Sequence, residues 1–327
     1  MMFVGPGWMN KKGRWEAPYE LLKKSYEDAC AYYGTLKKEG RLTDMTMSEF
    51  AAWYRANRRY EEPDAFLWRD ILYGSEKQHF WYSDPYLRCC LDMNQGGAMI
   101  DLRPYAARLY RPCGIGTKHV QDASYPYLIQ ANYRAGYFTH YAGEGTVKSC
   151  RISCRGETAD LCLTRTKAHL TGADGTRVLT LDPVEVELGG VKIGIESVFR
   201  FREGTGTVET ERRILWVSEP GVRVTVEEYM TATYGTTEYP EDMSGTVLSA
   251  GAQSLVYAYR CREIEAKGTA SARIDAVDTL VSLYGGAEDT CFAREGYAFS
   301  PMFTLGVRKE LREKESVTTW LSLQKAN

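Results

Sequence analysis

The sequence predicts a mainly β protein, a large antiparallel β-sandwich preceded by a short α-helical arm. Three observations predict this fold class. Apolar and polar residues alternate strictly between residues 190 and 235, strand and turn signals follow one another closely from residue 64 onward, and a helical pattern is confined to the first sixty residues. Strands at this spacing, without helices between them, are typical of antiparallel sandwiches.

The alternation is clearest in three consecutive segments, 191–201, 207–214 and 222–232. Successive side chains of a strand point to opposite faces, so each segment is predicted to be a half-buried strand. The second faces of the three segments carry Glu, Arg, Thr and Tyr, and we expect them to form a broad polar surface. Such a surface suits a polyhydroxylated ligand, although a solvated sheet face has the same pattern.

A hairpin and a pair of helices complete the prediction. The run from Pro183 to Ile195 contains two alternating stretches joined by Gly189-Gly190, a pair able to adopt the positive φ of a tight turn. Before the sandwich, a helix is predicted from Pro18 to Gly40 and a second from Ser48 to Tyr60. Thr46 and Glu49 fit a capping box, and the buried stripe of the second helix is predicted to be Phe50, Trp53 and Tyr54. We therefore predict a helical arm over residues 1–63 and a sandwich over residues 64–327.

Composition excludes several functions. A formal charge of -2 offers no basic stripe for nucleic acid, and no apolar window approaches the ~18 residues of a membrane span. Residues 1–8 lack the pattern of a signal peptide. The nine cysteines have neither disulfide-framework nor zinc spacing, so we expect reduced, mostly structural thiols and a cytoplasmic location. No motif predicts a metal site or a cofactor.

Three groups of residues are candidates for chemistry or ligand binding. Glu209 and Glu211 lie two residues apart on one strand face, roughly 7 Å from each other, as two glycosidase carboxyls would. Neighbouring arginines, Arg213 and Arg223, favour a salt-linked ladder over a glycosidase pair at these two glutamates. Histidine is scarce, with four in the chain, and His140 shares a strand face with Asn132 and Arg134. Asp101 and Arg103 are predicted to share a face of another strand.

Residues 75–325 resemble the galactose-mutarotase-like supersandwich of carbohydrate-active enzymes. The resemblance is carried by the strands of 190–235 and by the closing pair 299–307 and 317–323. It implies a His general acid and a Glu general base, which would be His140 with Glu211 or Glu227. The family's usual His-Gly context is absent from this sequence.

Residues 1–60 resemble the last β/α unit of a polysaccharide-deacetylase-like barrel. The order is an apolar stub at 2–4, a Gly5-Pro6-Gly7-Trp8 turn, a long helix and then a short helix opening at 45–50. The resemblance implies that this chain belongs to a longer protein or descends from one that lost its barrel. A helical arm packed on the sandwich is the alternative.

The predicted function is carbohydrate handling. We expect the C-terminal domain, or a relative, of a glycoside-processing enzyme, binding sugar on a concave sheet face, with an upstream barrel or a second copy of the chain as partner. The alternatives are a self-sufficient epimerase or glycoside hydrolase, and a structural module without ligand. The candidate catalytic residues are His140, Glu211 and Glu227, and the candidate sugar contacts are Arg103, Asn132, Arg134, Arg213 and Tyr229.

Overall fold

The computed structural model describes residues 19–58, 62–70, 76–105, 127–130, 145–233, 243–275, 278–297 and 300–326. The chain divides into two compact units, residues 1–59 and residues 60–327. The first contains the helices and the second contains the β-sandwich. Among the described residues, no helix is long and apolar enough to cross a membrane.

The helical unit has two helices, α1 (Tyr19–Lys38) and α2 (Met47–Asn57). The predicted capping box is confirmed: the Glu49 amide donates to Thr46 Oγ1 at 3.2 Å, and Glu49 Oε2 accepts from the Thr46 amide at 2.6 Å. The predicted buried stripe is wrong. Phe50, Trp53 and Tyr54 are exposed, although the Phe50 ring contacts the rings of the other two.

The second unit consists of antiparallel strands. In chain order they are β1 (Asp64–Arg69), β2 (Gln78–Ser83), β3 (Leu87–Asp92), β4 (Ala98–Pro104), β5 (Val147–Cys154), β6 (Glu157–Asp160), β7 (Ala168–Ala173), β8 (Thr176–Leu188), β9 (Val191–Arg202), β10 (Thr207–Val217), β11 (Val224–Ala232), β12 (Val247–Ala250), β13 (Gln253–Val256), β14 (Glu263–Lys267), β15 (Thr269–Ile274), β16 (Thr279–Tyr284), β17 (Thr290–Tyr297), β18 (Ser300–Leu311) and β19 (Ser316–Lys325). The predicted turn between β8 and β9 is confirmed, with φ of 55° at Gly189 and 77° at Gly190.

Within the described residues, the strands form two sheets. The first sheet has the order β1-β2-β3-β4-β5-β11-β18-β17-β14, with β6 paired to β5, and the second has the order β13-β12-β15-β16-β19-β10-β9-β8-β7. Their apolar faces pack together: Val226 of β11 belongs to the same core cluster as Ile195 of β9 and Ile214 of β10. The mainly β sandwich predicted from the sequence is therefore confirmed.

The predicted polar surface across three consecutive strands is wrong. β9 and β10 are neighbours in the second sheet, but β11 lies in the first sheet between β5 and β18. The alternation of each strand was correctly predicted. However, β11 uses its apolar face to cover β9 and β10 from the opposite layer, so its polar face points away from theirs.

Candidate functional site

A row of alternating charges crosses the outer face of the first sheet, the face turned away from the second sheet. Asp160, Arg151, Glu227 and Arg308 lie directly opposite one another on β6, β5, β11 and β18. We call these four residues the central row. Each sits at an outward position because its strand neighbours, such as Ile152 on β5, point into the core.

Glu227 is held from both sides of the central row. Its Oε1 accepts from Arg151 Nη1 at 3.1 Å, and its Oε2 accepts from Arg308 Nε and Nη2 at 3.0 and 2.9 Å. Only 15% of its side chain is exposed. Two guanidinium groups therefore hold this sheltered carboxylate in a fixed position.

Tyr229 lies two residues after Glu227 on the same face of β11. Its hydroxyl donates to Asp160 Oδ2, and the Arg151 guanidinium lies 4.0 Å from the centre of its ring. Asp160 Oδ1 also accepts from Ser149 Oγ and from the Cys162 amide, each at 2.9 Å. Burial acts to raise the pKa of Asp160, but the hydrogen bonds from Tyr229, Cys162 and Ser149 outweigh it and the pKa lies below its ordinary value. Asp160 is thus an ionised acceptor.

The Tyr229 hydroxyl is a donor throughout the physiological pH range. Burial raises its pKa, and the neighbouring Asp160 carboxylate raises it further. The site therefore contains one uncharged group, a protonated phenol, which donates a hydrogen bond to the fixed carboxylate beside it.

Arg103 lies on the same outer face, on β4. Its Nε is 3.3 Å from Asp101 Oδ2, and Arg88 Nη2 donates to the same carboxylate oxygen at 3.0 Å. Asp101 is nearly buried, with 8% of its side chain exposed. Aromatic rings flank both arginines, Trp81 at 5.3 Å from Arg88 and Tyr127 at 5.9 Å from Arg103. The predicted sharing of one face by Asp101 and Arg103 is confirmed.

Glu211 and Arg213 lie on the opposite surface of the sandwich, the outer face of the second sheet. Glu211 accepts from Arg200 Nη2 and from Arg213 Nη2, each at 2.8 Å, and Arg200 Nη1 also donates to Glu209 at 2.8 Å. Burial acts to raise the pKa of Glu211, but the two arginines outweigh it and lower the pKa. The predicted salt-linked ladder therefore describes this pair, with Arg200 in the place predicted for Arg223.

The predicted site residues thus separate into three groups. Arg103, Glu227 and Tyr229 share the outer face of the first sheet, whereas Glu211 and Arg213 share that of the second. A single small substrate cannot touch both glutamates, because the core lies between them. Asn132, Arg134 and His140 lie outside the described residues.

Sequence reasoning missed Arg151, Asp160 and Arg308. A signal was present, since Arg151 alternates with Cys150 and Ile152 on β5 as Glu227 alternates with Val226 on β11. Alternation predicts which face of its strand a residue occupies, but not which residue of a neighbouring strand it contacts. In the part of the chain that the structure describes, no cluster of three His, Cys, Asp or Glu residues could hold a metal ion.

The chain resembles known proteins in its fold and not in its sequence. No protein-family model matches the chain, and no curated protein matches its sequence. Solved structures do match. A provisionally assigned aldose 1-epimerase from Klebsiella pneumoniae superposes with a TM-score of 0.52 at 9% identity, covering 82% of this chain and 86% of its own. A galactose mutarotase related enzyme from Lactobacillus acidophilus gives a TM-score of 0.50 at 6% identity, covering 76% and 98%.

A third match is a galactose mutarotase-like protein from Clostridium acetobutylicum, with a TM-score of 0.47 at 8% identity, covering 80% of this chain and 98% of its own. The first two superpositions show that the second unit has the galactose-mutarotase-like fold, as the strand pattern predicted. At these identities they show the fold alone.

Proposed function

We propose that this protein binds carbohydrate on the outer face of its first sheet, at the central row and the adjoining Tyr229, with Arg103 as a further contact elsewhere on the same face. The observation that carries the proposal is the central row itself. It presents fixed carboxylates and guanidinium groups, part-sheltered from water, on a sheet of the galactose-mutarotase-like fold. The names of the matched proteins, which refer to galactose mutarotase and aldose 1-epimerase, support a sugar as the ligand.

The chemistry of the row suits a polyol. A sugar hydroxyl both donates and accepts hydrogen bonds, so it is best matched by acceptors and donors in alternation. The order Asp160, Arg151, Glu227, Arg308 supplies that alternation at the ~4.8 Å spacing of adjacent strands.

The hydrogen bonds of Glu227 favour a binding role over a catalytic one. A general base needs a lone pair directed at the substrate, whereas both oxygens of Glu227 accept from arginines. An epimerase or hydrolase that pairs His140 with Glu227 is the alternative. It predicts turnover of a free sugar or glycoside that Glu227→Gln abolishes without loss of binding.

The test is isothermal titration of the folded chain with a panel of mono- and oligosaccharides. We expect at least one sugar to bind. Glu227→Gln should lower the affinity for that sugar roughly tenfold, because a charge-assisted contact is lost. The control is Glu185→Gln, the same change at an exposed carboxylate paired with Lys192 on the second sheet. Equal affinities for the two variants would refute the site, and no binding across the panel would refute the function.

Three related predictions extend this proposal. The sandwich would serve as the C-terminal part of a glycoside-processing enzyme, residues 1–60 would be the end of a deacetylase-like barrel, and the protein would act in the cytoplasm. Each stays a prediction, and the first two are tested by co-purification of the chain with a polysaccharide-cleaving or deacetylating activity.

A further inference from the structure

A groove of about 280 Å³ lies on the outer face of the second sheet, on the opposite side of the sandwich from the central row. Two rows of side chains line it. In the first row Tyr284, Trp320, Glu209 and Arg200 are direct neighbours on β16, β19, β10 and β9. This row spans three strand spacings, ~14 Å. We call this site the Trp320 groove.

The aromatic end of the groove is a pair of stacked rings. The rings of Tyr284 and Trp320 lie 5.6 Å apart with an angle of 18° between their planes. Trp320 Nε1 donates to Glu209 Oε2 at 3.2 Å, which fixes the indole beside the acidic member of the row. A flat, half-buried aromatic surface of this kind favours a ligand with a broad apolar face.

The second row carries hydroxyl groups and a cation. Arg202 lies opposite Thr207 on β10 and Thr176 on β8, and all three line the groove. Neighbouring carboxylates are already occupied, since Glu203 pairs with Arg177 and Glu209 with Arg200. Among the residues that the structure describes, no carboxylate forms an ion pair with Arg202. The groove therefore offers one uncompensated guanidinium group about two residues, or ~7 Å, along the strands from the aromatic row.

We propose that the Trp320 groove is a second ligand site and that it binds an acidic saccharide, a uronic acid residue within an oligosaccharide. The sugar ring packs on Trp320 and Tyr284, its hydroxyls contact Glu209 and the threonines, and its carboxylate pairs with Arg202. A carboxylate and a guanidinium form two parallel hydrogen bonds, so Arg202 selects the acid over a neutral sugar.

This site does not depend on the function proposed for the central row. It is made of strands from the other sheet and contains none of the same residues. Because the core separates the two surfaces, a ligand in one cannot touch the other. Loss of one site therefore leaves the other testable.

The experiment is a tryptophan-fluorescence titration of the folded chain with trigalacturonate and, in parallel, with a neutral galactotriose. We expect trigalacturonate to bind more tightly, and its affinity to fall with added salt because the Arg202 contact is exposed. Arg202→Gln should reduce the affinity roughly tenfold. Arg223→Gln, at an exposed arginine just before β11, is the control and should bind as the parent does.

Two further variants separate the outcomes. Trp320→Leu keeps an apolar side chain and should weaken both saccharides, and calorimetric titration replaces its fluorescence signal. Glu185→Gln, at a carboxylate of the second sheet that does not line the groove, should leave trigalacturonate binding unchanged. Equal affinity for the acidic and neutral saccharides, or no effect of Arg202→Gln, would overturn the proposal, as would no binding at all.

Discussion

Glu228 of the first sheet and Arg212 of the second form an ion pair inside the sandwich. Arg212 Nε donates to Glu228 Oε2 at 2.9 Å, and neither side chain is more than 2% exposed. Lys148 donates to the other carboxylate oxygen of Glu228 and, at 3.0 Å, to Thr210 Oγ1. The Glu228 carboxylate thus connects β5, β10 and β11, and its ion pair with Arg212 joins the two sheets.

The pair is ionised in the folded protein. Burial acts to raise the pKa of Glu228, but Arg212 and Lys148 outweigh it and hold the pKa below its ordinary value. The Phe199 ring lies 5.0 Å from the Arg212 guanidinium, which adds a cation–π contact. Removing the carboxylate would leave two cations without a partner in the core.

We therefore predict that Glu228→Gln destabilises the protein by about 3–5 kcal/mol, the usual cost of breaking a buried ion pair. Urea denaturation measures this. Glu310→Gln is the control, because Glu310 pairs with Arg223 at the surface and such pairs contribute about 1 kcal/mol or less. A loss below about 1 kcal/mol for Glu228→Gln would show that the core pair is not a stabilising link.

We expect the stability of the protein to depend on pH through the carboxylate of Glu295. Burial acts to raise its pKa, but hydrogen bonds from Arg262 and from the backbone amides of Ala258, Arg262 and Arg260 lower it from 4.5 to about 2. A lowered folded pKa means that its contribution is complete above about pH 4.5, declines as the pH falls and is lost below about pH 2. Glu295→Gln should cost about 2 kcal/mol at neutral pH, with the difference shrinking as the pH falls towards 2. A difference independent of pH would contradict this.

Gly306 is required by the packing of the first sheet's outer face. A Cβ at this position would lie 2.2 Å from Phe292 Cζ, and Phe292 lies 5.0 Å from the Arg308 guanidinium. Gly306→Ala should therefore displace Phe292, lower stability by about 1–3 kcal/mol and weaken sugar binding through Arg308. Gly34→Ala, in α1 with no atom within 4 Å of the added Cβ, should not lower the melting temperature. Unchanged melting of Gly306→Ala would refute the argument.

The cysteines differ in predicted reactivity. Among the eight cysteines that the structure describes, Cys30 and Cys261 are exposed, whereas Cys89 and Cys150 are buried and burial raises the pKa of each thiol. Iodoacetamide should label the two exposed thiols in the native protein and the buried ones only after unfolding. Peptide mass spectrometry reads each site separately. Rapid native labelling of Cys89 or Cys150 would contradict the packing described.

Local features were predictable from the sequence and long-range ones were not. The capping box at Thr46 and the turn at Gly189-Gly190 depend on residues close in the chain. The partners of Glu227 lie 76 and 81 residues away, and alternation gives no information about which strand lies beside which. Glu228 interrupts the apolar face of β11, and only the buried Arg212 and Lys148 explain it.

The placement of β11 had the largest consequence for the candidate site. Glu211 and Glu227 lie on strands that are consecutive in sequence, which favoured a shared surface. The structure separates them because β11 packs its apolar face over β9 and β10 instead of pairing beside them.

The most direct test of the central claim is a crystal structure of the chain with the neutral sugar that binds most tightly in the titration panel. We expect electron density for the sugar over β5, β11 and β18, with hydroxyls within hydrogen-bonding distance of Arg151, Glu227 or Arg308. Density in the Trp320 groove alone, or an outer face of the first sheet without sugar at saturating concentration, would contradict it.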